Sequence, residues 1–309
     1  GSVRCVLETA FGLLRCAGVE GTGTYGAGLT RILRNHGIVV FEVNRPDRSQ
    51  RRLKGKSDST DAENAARAVL GGLATAVPKD HSGVAEAMRA ISVARRSAVK
   101  AKTQCINQIR SLLVSAPQET RERLWHTKAD ECVKRCVRLR SLGASQVRET
   151  LTLTLRLLAR RWQMLSKELR ILDDQLEELT GKHTRRLRQQ FGVGPYTAAV
   201  LVSVAGDNPE RLRNEASFAA LCGASPLPAS SGKTVRHRLN RGGSRAANNA
   251  LWTIAMVRMR SEPRTRAYTR RRTEEGLTTK EIQRCLKRYI ARELYPIILE
   301  DLADAARGC

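Results

Sequence analysis

The chain has 309 residues and carries 55 lysines and arginines against 30 acidic residues, which gives a formal charge of +25. Such an excess favours a polyanionic partner, above all nucleic acid, because cations that neutralise phosphates release condensed counterions. A surface that is basic only for solubility rarely needs so much charge. We find no signal peptide and no uninterrupted apolar stretch long enough to span a membrane, so a membrane protein is not expected.

Strands and helices alternate in the first part of the chain. Residues 15–19 indicate a short buried strand, and residues 38–43 are rich in β-branched side chains that favour a second strand. Residues 25–35 and 61–70 have helical patterns, and Thr60 or Asp61 is the expected N-cap of the second helix. This order predicts an α/β layer with a parallel strand pair.

Three acidic residues in this layer form the first candidate site. Glu20 follows the first strand, and Asp58 and Asp61 are three positions apart at the start of the second helix. Strand ends and helix starts meet at one edge of a parallel sheet, so these carboxylates can converge there. Clustered carboxylates repel one another unless a cation bridges them, and Mg²⁺ prefers oxygen ligands. The alternative is that Asp61 caps the helix and Asp58 belongs to a turn.

The middle of the chain is helical. Residues 82–115 predict one long helix, and leucines recur every three or four positions over residues 151–179. This second pattern predicts a coiled-coil seam. The seam can pack on the 82–115 helix of the same chain or on another protomer. The eight cysteines, including Cys132 and Cys136, lack zinc spacing and are expected to be reduced thiols.

The last third begins with a glycine turn. Residues 187–201 have the pattern of a helix-hairpin-helix, in which Gly192 and Gly194 allow a tight turn whose amides can approach phosphates. An ordinary corner between two helices is the alternative. Further helices are expected at residues 217–222, 246–260 and 279–302. Arginines cluster over residues 258–272 and favour either phosphate binding or a solvated face.

A serine-containing segment forms the second candidate site. Residues 229–245 show no regular helical or strand period, so we expect a loop. Ser230 and Ser231 precede Gly232 in it, and five cations follow: Lys233, Arg236, Arg238, Arg241 and Arg245. A serine hydroxyl among cations can attack a phosphodiester, because the cations stabilise charge on the pentavalent phosphorus. The loop can equally clamp a phosphate through its amides, and the residues alone leave both alternatives open.

Together these motifs resemble a known family. The glutamate motif Glu20-Gly21-Thr22-Gly23, the paired aspartates in Asp58-Ser59-Thr60-Asp61, and the block formed by residues 191–195, 230–233 and 241–245 carry the resemblance. They are similar to the transposases of the bacterial insertion-sequence family numbered one hundred and ten, which are related to Piv-type DNA invertases. The resemblance covers residues 15 to 300.

The resemblance implies a mixed fold in three regions. Residues 1–78 would form an α/β RNase H-like (RuvC-like) domain of the DEDD type, and residues 79–182 a helical coiled-coil region. Residues 183–309 would form a mainly α-helical transposase domain with the helix-hairpin-helix and the serine loop. The family's first strand and opening aspartate have no counterpart in residues 1–14, so we expect a truncated N-terminal domain.

The resemblance also implies roles for individual residues. Glu20, Asp58 and Asp61 would be catalytic and would be three of the four acids that hold Mg²⁺. Ser231 would be the nucleophile that forms a phosphoserine link to DNA, and it is preferred over Ser230 because it directly precedes the glycine. Nucleic-acid contacts are expected from eight residues: Lys56, Gly192, Gly194, Lys233, Arg236, Arg238, Arg241 and Arg245.

The expected partners are DNA, at the element ends and the target, and a bridge RNA that selects both by base pairing. A homo-oligomer, dimer or tetramer, would combine the acids of one protomer with the serine of another, in the bacterial cytoplasm at the nucleoid. Two alternatives differ in chemistry. A RuvC-like nuclease would use metal-activated water, and a truncated, inactive remnant would only bind nucleic acid.

Overall fold

The computed structural model describes residues 13–43, 57–141, 145–229, 237–238 and 240–307. Contacts within the chain divide these residues into two compact units. The small unit comprises the described residues up to Ser82 together with Gly206–Arg213, and the large unit comprises Gly83–Ala205 together with the described residues from Asn214 onward. Most of the predicted coiled-coil and transposase regions thus belongs to the large unit, except residues 79–82 and Gly206–Arg213. The domain limits at residues 78 and 182 remain predictions.

The small unit contains the predicted α/β layer. Its elements are β1 (Cys16–Val19), α1 (Ala27–Asn35), β2 (Val39–Glu42) and α2 (Asp58–Leu70). The two strands pair in parallel, with Cys16 opposite Val39 and Val19 opposite Glu42, which confirms the predicted strand pair. A short 3₁₀ helix, Pro209–Arg211, also belongs to this unit.

Strand β1 packs directly on helix α2. A Cβ on Gly18 would lie 2.7 Å from the carbonyl oxygen of Ala65, so only glycine allows this approach. Val43, Ala65 and Ala74 form a small buried apolar cluster beside the strands. The packing fixes the start of α2 relative to the end of β1, where the predicted acids lie.

The large unit is helical apart from one short hairpin among its described residues. Its helices are α3 (Val84–Ser115), α4 (Gln118–Leu124), α5 (Ala129–Val137), α6 (Gln146–His183), α7 (Arg185–Arg188), α8 (Pro195–Ala205), α9 (Glu215–Leu221), α10 (Arg245–Ser261), α11 (Pro263–Glu274) and α12 (Thr279–Arg307). The hairpin consists of β3 (Leu227–Pro228) and β4 (His237–Arg238). None of the helices in the described ranges is long and apolar enough to cross a membrane.

The leucine pattern of α6 packs within the chain. Leu155, Trp162, Leu165 and Leu169 are buried in a core shared with α3, α4 and α5. This confirms the predicted seam and shows that α3 is one of its partners, as α3 and α6 make the most extensive contact between two elements. Cys132 and Cys136 on α5 belong to the same core and are free cysteines, as expected for reduced thiols.

Helix α8 is the centre of the unit. Every residue from Thr197 to Ala205 is buried, and the helix contacts α3, α6 and α10. A buried arginine, Arg258 on α10, forms a two-pronged ion pair with Glu293 on α12 at 2.8 and 2.9 Å. Charge-assisted pairs of this geometry are among the stronger polar contacts in proteins, so α10 and α12 are held in register.

Candidate active site

Glu20 lies at the end of β1, and the glycines that follow hold it there. Gly21 has a φ of +62°, and its carbonyl accepts hydrogen bonds from the amides of Thr24 and Gly26. A Cβ on Gly26 would lie 2.8 Å from Cγ1 of Val19 and closer still to the carbonyl oxygen of Glu20. The glutamate motif is therefore a tight turn that returns the chain against the backbone of Glu20.

Gly26→Ala is expected to destabilise the small unit by about 1–3 kcal/mol, because the new methyl group overpacks a site with no space. Gly28→Ala is the matched control, since a Cβ there meets nothing within 4 Å and alanine favours a helix. Hydrogen exchange of the β2 amides reports on this unit. We expect at least about fivefold faster exchange for Gly26→Ala and no increase for Gly28→Ala; equal exchange in both variants would contradict the packing argument.

Asp58 and Asp61 lie in the first turn of α2. The helix begins at Asp58, because Ser57 caps it by accepting a hydrogen bond from the amide of Thr60 at 3.2 Å. The predicted cap at Thr60 or Asp61 is therefore wrong, and Asp58 is helical. Residues three apart on a helix share a face, so both carboxylates project from the same side of the helix start.

These acids partly fit a magnesium site. Oxygen Oε1 of Glu20 is buried and has no hydrogen-bond partner, which is costly for a carboxylate and is relieved by a cation. Among the described residues, however, no three His, Cys, Asp or Glu side chains are placed to hold a metal ion. A cation bound to Glu20 would therefore need other ligands as well, such as substrate phosphate oxygens and water.

One further acid at this edge, Glu42, was not expected from the sequence. The strand register places Glu42, the last residue of β2, opposite Val19, the residue before Glu20. The guanidinium of Arg211 lies close enough to interact electrostatically with it: burial lowers the pKa of Arg211, and the charge of Glu42 opposes that shift. A strand-ending glutamate has no motif around it, so only the pairing of the strands reveals its position.

The serine segment, residues 229–245, follows strand β3 and contains strand β4. The strands are antiparallel, with Leu227 opposite Arg238 and Pro228 opposite His237. Two-residue strands leave no period in the sequence, so the expectation of a loop without strands is wrong at His237 and Arg238. Four predicted site residues lie outside the described residues: Lys56, Ser231, Lys233 and Arg236. Ser230 also lies outside them.

A double-glycine turn joins the hairpin to α10. A Cβ on Gly243 would lie 2.7 Å from the carbonyl oxygen of Ala220 and closer still to the amide nitrogen of Gly223. Ser244 then caps α10, accepting from the amide of Ala247, while its own amide donates to Leu221. The turn therefore docks the start of α10 on the end of α9. Arg241 and Arg245 flank it on either side.

Arg241 and Arg245 line a cavity of about 620 Å³ together with Asn249 and Trp252. Both arginines and Arg238 are exposed, and no carboxylate in the described part of the chain pairs with them. The amides at the start of α10 add positive potential, as at other helix N-termini that bind phosphate. Cations beside an exposed aromatic ring are a combination suited to nucleic acid.

The predicted glycine turn contains Gly192 with a φ of +82°, and it packs on α10. Arg258 donates a hydrogen bond of 2.9 Å to the carbonyl oxygen of Phe191, which ties the turn to the core. The amide of Gly194 donates to the hydroxyl of Thr197 at 2.9 Å. A phosphate contact through Gly194 would therefore have to replace this hydrogen bond.

Two polar side chains near the hairpin were also missed by the sequence analysis. Asn248 on α10 donates to the carbonyl oxygens of Cys222 and Gly223, at 3.1 and 2.8 Å. Its side-chain oxygen accepts from the ammonium of Lys287 on α12 at 2.9 Å. Burial lowers the pKa of Lys287, and repulsion by Arg284 adds to the effect. Nothing in the sequence links residues so far apart.

Comparisons with known proteins agree with the motifs at both ends of the chain. A family model described as a DEDD transposase of the IS110 type matches residues 15–116, which include Glu20, Asp58 and Asp61. A second model, described as the transposase IS116/IS110/IS902 family, matches residues 184–270, which include the glycine turn, the serine segment and α10. A search of curated proteins finds no match to this chain. The two matches, in the order and at the places where the motifs lie, identify the chain as a member of the IS110 family of DNA transposases.

Proposed function

We propose that this transposase cleaves and rejoins DNA strands with Ser231 as its nucleophile. One observation supports this proposal above others. Strand β4 within the serine segment carries Arg238, and Arg241 and Arg245 flank the turn that follows. All three are exposed and have no carboxylate partner in the described residues. A serine on this segment would meet a DNA phosphate already held by cations.

The proposed step is a transesterification. The hydroxyl oxygen of Ser231 forms a bond to phosphorus while one bridging P–O bond of the DNA strand breaks. The hydroxyl proton is lost and the leaving strand end gains one, so the step needs no oxidant or added energy. A strand hydroxyl then attacks the phosphoserine, which joins the new strands and releases the serine. The cations offset charge at phosphorus in both directions.

The proposal assigns Mg²⁺ to Glu20, Asp58 and Asp61 of the RNase H-like layer, although the described residues do not place three acids around one ion. Substrate phosphate oxygens and water would complete the ligand set, and Mg²⁺ would supply charge stabilisation at the scissile phosphate. The buried, unpartnered oxygen of Glu20 supports this role. The resemblance further implies that the acids of one protomer work with the serine of another. The helix-hairpin-helix would contact DNA through Gly192, and a bridge RNA would select the DNA. The charge of +25 supports a polyanionic partner.

The products formed on supercoiled DNA test this function. With Mg²⁺ and the matching RNA, the proposal predicts a covalent protein–DNA adduct followed by joined strands, and Asp58→Asn is expected to reduce both. Free DNA ends without an adduct, lost in Asp58→Asn but retained in Ser231→Ala, would instead establish a metal-dependent nuclease. Salt-sensitive binding without any strand cleavage would establish an inactive remnant.

An exposed apolar face of α6 supports the proposed oligomer. Leu153, Leu157, Met164 and Ile171 are 54–64% exposed, and the last three follow one another at intervals of seven residues. Intervals of seven keep side chains on one face of a helix, which is the pattern of a coiled-coil contact. The buried seam of α6 packs within the chain. We propose that this exposed face contacts a second copy of the chain.

The double variant Leu157→Glu with Met164→Glu is expected to weaken self-association at least about tenfold, because two apolar side chains lose their burial and two like charges face each other. Val147→Glu is the control, since Val147 is exposed on the same helix but lies off this face. Sedimentation over a range of concentrations measures the effect. An unchanged mass distribution in the double variant would exclude this face as the contact.

A further inference from the structure

A second cavity lies beside the β3–β4 hairpin. It has a volume of about 520 Å³ and shares Gly223 and Asn240 with the cavity of Arg241 and Arg245. Its walls include Arg238 from β4 and a row of side chains from α12, among them Cys285, Lys287 and Tyr289. All of these residues belong to the large unit.

Lys287 is the unusual member of this cavity. Its side chain is only 6% exposed, and its ammonium donates to the neutral amide oxygen of Asn248, with no carboxylate pairing with it among the described residues. Burying a charge opposite a neutral partner is unfavourable unless an anion compensates it. Asn248 is itself fixed by two backbone carbonyls, so the ammonium is held in one place. The position of Lys287 therefore favours an anionic ligand.

The other charges around the cavity leave it positive. Arg272 pairs with Glu275, Arg284 with Glu281 and Arg288 with Glu215. After these pairs are formed, Lys287 and Arg238 remain as cavity cations without a carboxylate partner in the described ranges. Both cations line the cavity: Lys287 is buried, and Arg238 lies on the exposed hairpin strand. Two such cations on one cavity favour a phosphate as its ligand.

The remaining walls suit the rest of a nucleotide. Tyr289 is 52% exposed and lies edge-on to Tyr268, with ring centroids 5.8 Å apart. Its free face offers a stacking surface for a base, and Pro226 and Leu277 add apolar wall. A cavity of about 520 Å³ lies within the size range of small-molecule sites and can take one nucleotide.

We propose that this cavity binds one nucleotide of a single DNA strand, with its phosphate on Lys287 and Arg238 and its base on Tyr289. The choice of DNA rests on the proposed function, because the cavity adjoins the hairpin that carries the serine segment. A strand end freed by cleavage has the right chemistry to occupy it. Holding that end near the hairpin would keep it available for rejoining.

The test measures binding of the full chain to a short single-stranded DNA at several salt concentrations. Lys287→Met is expected to weaken binding about tenfold and to reduce the salt slope by about one. Tyr289→Ala is expected to weaken binding at least about fivefold without changing the slope, because it removes stacking and no charge. Lys280→Met, an exposed lysine at the start of α12 and outside the cavity, is the matched control and should change affinity less than twofold.

Thermal unfolding checks that each variant is folded. If Lys287→Met does not fold, Tyr289→Ala still tests the proposal, because an exposed side chain can be removed without unfolding the chain. Unchanged DNA affinity in the folded variants would overturn the proposal. The proposal would also be overturned if the folded variants lost affinity for RNA of the same sequence but bound the DNA as the unaltered chain does. Failure of the proposed function is a separate result: the chain would bind the strand through this cavity but form no covalent adduct.

Discussion

Ser231→Ala is expected to reduce strand cleavage by about a thousandfold or more and to leave DNA binding unchanged. The reason is that the hydroxyl supplies the atom that bonds to phosphorus, whereas binding depends on cations that this substitution does not alter. Cleavage rates on supercoiled DNA with Mg²⁺ and the matching RNA, measured beside DNA affinity at the same salt, give the two quantities.

The control for this prediction is the neighbouring serine. Ser230→Ala removes a hydroxyl from the adjacent position, so it tests whether the effect belongs to one residue or to the segment. We expect Ser230→Ala to keep most of the cleavage rate. If Ser230→Ala abolished cleavage and Ser231→Ala did not, the nucleophile would be Ser230; if neither substitution mattered, the serine mechanism would be wrong.

The second large effect is expected for Arg241→Ala combined with Arg245→Ala. Each arginine removed from a phosphate reduces the number of counterions released on binding, so the salt slope should fall by about two. We expect affinity for DNA to fall at least about tenfold at physiological salt, and cleavage to fall with it. A salt titration of DNA binding measures both the affinity and the slope.

The matched control removes two exposed arginines elsewhere. Arg160→Ala with Arg170→Ala takes the same charge from α6, where both side chains are exposed. If this double variant lowered the affinity and the salt slope as much as Arg241→Ala with Arg245→Ala does, binding would depend on net charge alone. A clear difference between the pairs would locate the DNA contact at the start of α10.

The sequence predicts the α/β layer well because its signals are local. β-branched residues mark β2, and the order of elements correctly gives a parallel pair. The start of α2 is three residues earlier than expected, because Ser57 competes successfully with Thr60 as the cap. The acids of this layer were found from motifs, but Glu42 was not, because its position opposite Val19 depends on strand register.

The C-terminal site is less accessible to sequence reasoning. Strands of two residues, one of them ending in Pro228, give no pattern. The link between Lys287 and Asn248 joins helices that are distant in sequence and has no signature there. The long helices α3 and α6 were predicted because their apolar spacing is regular, but only the folded chain shows that they pair with each other.

The motifs that carry the family resemblance serve structure as well as chemistry. Gly26 and Gly243 lie where any Cβ would collide with backbone atoms, so both motifs fix the path of the chain next to a candidate site. Gly192 similarly packs on α10, which is held to α12 by Arg258. A family glycine therefore indicates where the backbone must pass closely, while the neighbouring acids, arginines and serine carry the proposed chemistry.

The most direct measurement is to digest the trapped protein–DNA adduct and identify the linked residue by mass spectrometry. The account predicts a nucleotide attached through phosphate to Ser231, formed only when Mg²⁺ is present. Attachment to a residue outside the serine segment, or cleaved DNA that never carries protein, would contradict it.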